Sequence, residues 1–113
     1  MSTPGSSQRP PVNVYEASGQ LSVALPIPGA HADHTRVTVS NRRLQVVAEC
    51  KYAQDQQSFL QREWQVGSWE LDLELPRSVD PEGSHANLKL GVLMVMAPIS
   101  DGAGGGERQI PVR

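Results

Sequence analysis

Trp69-Glu70-Leu71-Asp72-Leu73-Glu74-Leu75 alternates large apolar and acidic residues without a break, and Pro76 ends the run. Successive side chains of an extended strand point to opposite faces, so Trp69, Leu71, Leu73 and Leu75 belong to a core and Glu70, Asp72 and Glu74 to water. Proline has no N–H to give to a ladder, which makes Pro76 a natural strand end. The three carboxylates resemble acid/base pairs, but residues two apart on a strand form a solvated face.

The same period of two recurs on both sides of this segment. Upstream, Leu21, Val23 and Leu25 share one side of a strand closed by Pro26, Pro28 and Gly29, and Val37 and Val39 make a shorter piece. Ser40-Asn41-Arg42-Arg43 has the composition of a hairpin turn, since Asn tolerates positive φ, and it leads into Leu44, Val46, Ala48 and Cys50 on one face of the next strand. Val12 to Tyr15 makes an opening strand. The polar stretch Lys51–Ser58 reads as a loop, with a further strand starting near Phe59. Downstream, Leu88 and then Gly91 through Ala97 make the last strands, and Gly91 marks the tight turn between them.

No segment sustains a helical period, and nine prolines and ten glycines punctuate the chain at short intervals. Short strands without intervening helices imply an all-β, immunoglobulin-like β-sandwich rather than a parallel α/β sheet. The 113 residues suffice for one domain. The expected organisation is a short disordered N-terminal arm (1–11), the sandwich (12–98) and a flexible C-terminal tail (99–113). Within that tail the glycine-rich run SDGAGGGERQ ends in an isolated apolar triplet, Ile110-Pro111-Val112. A lone triplet beyond a linker buries nothing by itself and calls for a receiving groove.

Charge and composition exclude several classes of function. With 10 Lys+Arg against 12 Asp+Glu, the net charge of −2 offers no strong field for nucleic-acid phosphates or an anionic membrane surface. No run approaches the roughly 18 apolar residues that a membrane span needs, and MSTPGSSQRPP lacks the features of a secretory signal. A soluble cytoplasmic protein is expected, and the single Cys50 fits a reducing compartment. His31 and His34, with His85 or Cys50, read as loop and core residues rather than as a metal site. Cys50 continues the inward face of Leu44, Val46 and Ala48, as a buried thiol would. No enzyme motif and no phosphate-cradling glycine loop is present, so no catalytic, cofactor or metal residue is assigned.

Three features, in order, resemble the small heat-shock proteins with their α-crystallin domain, in the bacterial or plant-like branch. Leu25-Pro26 with Pro28-Gly29 is similar to the family's LPG, here widened to LPIPG. Gly67-Ser68-Trp69 through Leu75-Pro76, Val79-Asp80-Pro81 and Ala86-x-Leu88-x-x-Gly91-Val92-Leu93-x-Val95-x-x-Pro98 resembles the family's long central signature. Ile110-x-Val112 resembles its mobile Ile-x-Ile/Val anchor. The resemblance implies an ATP-independent holdase that binds unfolding proteins and assembles with itself into dimers and small oligomers. It also implies a tail groove between the strands holding Val37 and Val39 and those holding Ala86 and Leu88, and a loop near Lys51–Ser58 exchanged between subunits. The runner-up is a non-chaperoning adaptor, similar to CS domains, that binds a folded partner through one sheet face. Two departures stand out: Leu71 occupies the position of a family arginine, and residues 1–11 form a far shorter, more polar arm than the client-binding arm usual in the family.

Overall fold

The computed structural model describes residues 7–50, 57–63, 67–101 and 106–113. They contain no α-helix. The strands are β1 (Asn13–Ala17), β2 (Gln20–Pro26), β3 (Ala30–Ser40), β4 (Arg43–Cys50), β5 (Trp69–Glu74), β6 (His85–Lys89), β7 (Val92–Pro98) and β8 (Arg108–Ile110). Two antiparallel sheets result, ordered β1-β2-β7-β6 and β5-β4-β3-β8.

The alternating pattern accounts for the core. Trp69 and Leu71 of β5 are buried while Glu70, Asp72 and Glu74 are exposed. Leu21, Val23 and Leu25 meet Ala97, Val95 and Leu93 across the β2/β7 ladder, and all six are buried. Together with Val37, Val39, Leu44, Val46 and Ala48 of the second sheet they form a single cluster. The arginine-like position Leu71 is only 3% exposed. A guanidinium there would have to be buried without an evident partner, whereas leucine fills the space at no electrostatic cost.

The connections follow turn chemistry, with one exception to the sequence reading. Leu90 (φ 53°) and Gly91 (φ 80°) make the two-residue turn between β6 and β7, and Ser18 (φ 54°) and Gly19 (φ 77°) make the turn between β1 and β2. Positive φ at both central residues is what a hairpin turn matched to strand twist requires. Asn41, by contrast, is not among the residues with positive φ. It works as a cross-link: its Nδ2 donates to the Val79 carbonyl at 3.1 Å and its own carbonyl accepts from the Val79 N–H at 2.8 Å. Asp80 caps the short 3-10 turn Pro81–Gly83 by accepting from the Glu82 N–H. Its own N–H reaches the Pro98 carbonyl, tying the turn to the end of β7.

The strand expected near Phe59 is absent among the described residues, where Gln57–Glu63 is irregular. Residues 51–56 of the loop assigned to subunit exchange lie outside the described residues. Among the described residues, segments near both ends of the chain pair with the sandwich. Gln8 bridges to Trp69, and the tail returns to the sandwich as β8.

Candidate functional site

The tail meets the sandwich along the side where β3 and β6 come together. Arg108–Ile110 runs antiparallel to β3, with Ile110 opposite Val37, Gln109 opposite Thr38 and Arg108 opposite Val39. Past Pro111 the chain changes sheet and pairs in parallel with β6, through an Ala86–Val112 bridge. The Arg113 N–H donates to the Ala86 carbonyl at 3.1 Å, and the Leu88 N–H donates to the Arg113 carbonyl at 2.8 Å. Proline between the two contacts has no N–H to leave unsatisfied where the chain crosses from one ladder to the other.

Ile110 and Val112 each complete a row of inward-facing side chains. Across one sheet the row is Leu71, Val46, Val37 and Ile110, every member 3% exposed or less. Across the other it is Val14, Val23, Val95 and Ala86, ended by the half-buried Val112. Of the four groove residues read from the sequence, Val37 and Ala86 face the two anchors directly. Val39 lies opposite Arg108, and half-buried Leu88 contributes its main-chain N–H. The Arg108 guanidinium also stands 3.5 Å from Glu82, an exposed pair whose energetic weight is small. A cavity of about 180 Å³ remains beside the tail, lined by His85, Asn87, Ile110 and Pro111 among others.

The pairing of Arg108-Gln109 with β3 and the Arg108–Glu82 contact have no signature in the sequence, whereas the triplet's extended course along a sheet edge follows from its central proline. Arg108-Gln109 carries no apolar pattern of its own; only its pairing partner makes it a strand. Burying Ile110 fully and Val112 in part contributes roughly 2–5 kcal/mol. The tail's main-chain hydrogen bonds to β3 and β6 add about 1 kcal/mol each, and fixing six residues of backbone costs about 1 kcal/mol each, so gains and costs nearly cancel and the contact is marginal and reversible.

The other chemistry-bearing residues do not converge. The His31 and His34 rings stand with centroids 6.1 Å apart, and among the described residues no group of three or more His, Cys, Asp or Glu is placed to hold a metal ion. Cys50 is half-buried rather than enclosed, because it sits at the last position of β4. Its Sγ lies where a side chain on Gly29 would be, 2.8 Å from an ideal Cβ, so the positive-φ glycine (88°) leaves it room. On the outer face of β5, Asp72 accepts a hydrogen bond from the Arg43 Nε at 2.6 Å. That bond holds the Asp72 carboxyl below its ordinary value and raises Arg43. Both groups are solvent-facing, as a wet sheet face demands.

A family model described as the Hsp20/alpha crystallin family matches residues 13–113, which includes both sheets and the whole docked tail. The chain belongs to that family. Among solved structures it is similar to a small heat-shock protein from Xylella fastidiosa, with 26% identity, a TM-score of 0.70 and coverage of 85% of this chain and 90% of that one. It is also similar to hspA from Xanthomonas axonopodis, with 23% identity, a TM-score of 0.73 and coverage of 88% and 99%. A point mutant of hsp14.1 from Sulfolobus solfataricus gives 25% identity, a TM-score of 0.68 and coverage of 83% and 74%. A comparison with curated protein sequences found no match. The family is one of small heat-shock chaperones, and the sandwich with its strand-rich architecture is the α-crystallin fold.

Proposed function

We propose that this protein is an ATP-independent holdase whose apolar β3/β6 groove receives extended segments of unfolding proteins, with its own tail as the competing occupant. The observation that carries the reading is the double row completion: Ile110 and Val112 end core rows of two different sheets while hanging from a glycine-rich linker. A surface that accepts an extended chain with apolar residues at alternate positions suits client segments exposed by heat, whose main chain is equally able to pair. Weak docking keeps the groove covered at rest and lets it open for a client. Val37, Val39, Ala86 and Leu88 are the groove; Ile110, Pro111 and Val112 are the latch.

The 12 residue steps from Pro98 to Ile110 span at most about 40 Å, enough for the tail's own groove or that of a close neighbour. Tails that change partners would link dimers into small oligomers at the effective concentration that tethering provides. The partners are thus unfolding clients and further copies of the chain, in the cytoplasm, without enzymatic turnover. The adaptor reading loses ground because the family match spans the tail as well as the sandwich.

The test is the heating of an aggregation-prone client without nucleotide. Light scattering should fall in proportion to added protein and be abolished near a few-fold molar excess. Scattering that stays the same at every ratio would overturn the holdase reading.

A further inference from the structure

The sandwich has two lateral openings, and each is closed by an end of the chain. The tail closes the β3/β6 side. On the β1/β5 side, the segment ahead of β1 crosses from one sheet to the other, with Pro10 fully buried. Gln8 lies parallel to β5 beside Trp69. Its N–H donates to the Ser68 carbonyl at 2.8 Å, and its carbonyl accepts from the Glu70 N–H at 2.9 Å. The Ser7 hydroxyl donates to the Glu70 carboxylate. Main-chain groups alternate in direction along a strand. Asp72 and Glu74 therefore turn their N–H and C=O to the same edge as Glu70, and among the described residues no main-chain bond from beyond that edge reaches them.

We infer that the outer edge of β5 is a second strand-addition site, guarded in cis by Ser7–Arg9, and that it accepts an extended cationic segment of another chain when the guard leaves. The guard shows that the edge takes an extended main chain in register, and two main-chain bonds make it easy to displace. Charge selects the occupant. Glu70, Asp72 and Glu74 all stand on the outer face of this edge strand, and Arg43 is already engaged by Asp72. The guard itself brings Arg9 to the adjoining open groove of about 710 Å³, which runs over Arg36, Thr38, Gln45 and Val47, so that the carboxylates at the β5 edge outnumber the cations that remain once the guard leaves.

A second copy's β5 is the wrong partner. Antiparallel pairing centred on Asp72 would set Asp72 against Asp72 and Glu70 against Glu74, and like charges directly opposite destabilise a ladder. A segment with Lys or Arg at every second position presents its cations on the same face as these carboxylates.

The full chain carrying Gln8→Pro lacks the N–H that holds the guard, whereas Gln8→Ala keeps it. Fluorescence anisotropy with a labelled decapeptide of alternating Lys and Thr should show binding about tenfold tighter to Gln8→Pro than to the parent or to Gln8→Ala, weakening as salt is raised. A Glu/Thr decapeptide should bind none of them. Equal affinity for Gln8→Pro and parent, equal binding of the two peptides, or doubling of the Gln8→Pro mass without peptide would each overturn the assignment. Independently of how that variant folds, the Lys/Thr peptide at high concentration should slow hydrogen exchange at the Asp72 amide of the parent. An unchanged Asp72 rate would also overturn it.

Discussion

Replacing both Ile110 and Val112 with Ala is expected to release the tail while leaving the sandwich folded. Ile110 is 3% exposed and ends a buried row, so a truncation that left the tail in place would open a cavity beside Val37. The tail has a cheaper alternative, because it can leave the groove. The loss in global stability is therefore capped by the docking free energy, about 1–2 kcal/mol, and the melting temperature should fall by only a few degrees. The local effect is larger. The Leu88 and Arg113 amides are held only by the docked tail, and their hydrogen exchange should accelerate at least about tenfold. A hydrophobic dye should bind the uncovered Val37, Val39, Ala86 and Leu88. Native mass spectrometry across a dilution series is expected to show dimers alone for the variant and a mixture of dimers and small oligomers for the parent. Unchanged exchange at Arg113 would mean that the triplet is not the latch.

Leu25→Ala should do the opposite. Leu25 is fully enclosed and faces Leu93 in the sheet that the tail joins through β6, with β7 and β6 lying between it and the tail. No rearrangement of a terminal segment can relieve its loss, so the cost is about 2–5 kcal/mol out of a typical total of about 5–15. The melting temperature should drop by about 10 °C or more. Local exchange at Arg113 below the transition should stay as in the parent, since Ile110 and Val112 keep their seats. A drop of less than about 3 °C would show that the β2/β7 inner face is not the core of the domain.

The contrast between these variants reflects what was legible in the sequence. Strands that carry their own alternation, such as Leu21–Leu25 and Trp69–Leu75, could be read directly, because the pattern and the burial have the same cause. Gly91 was legible as a turn because few residues accept its φ. Segments ordered by a partner rather than by their own pattern were not. Arg108-Gln109 is a strand only because β3 offers an edge, and Ser7-Gln8 is held only by the edge of β5. The groove residues came from family resemblance, whereas the row arithmetic that makes Ile110 the continuation of Leu71, Val46 and Val37 requires the register. Asn41 illustrates a right turn reached for the wrong reason: the residue serves as a side-chain and main-chain tie to Val79, which no local pattern reveals.

The central claim is that client and tail compete for one groove, and the Arg113 amide reports on it most directly. That N–H is bonded to the Ala86 carbonyl only while the tail is docked, whereas the Leu88 N–H of β6 would be taken over by whatever chain replaces the tail. Hydrogen exchange should therefore be followed at both amides in the parent protein, with and without a saturating amount of unfolding client. Competition predicts that client accelerates exchange at Arg113 while Leu88 stays protected. Full protection of Arg113 in the client-bound state would contradict it and place the client elsewhere on the molecule.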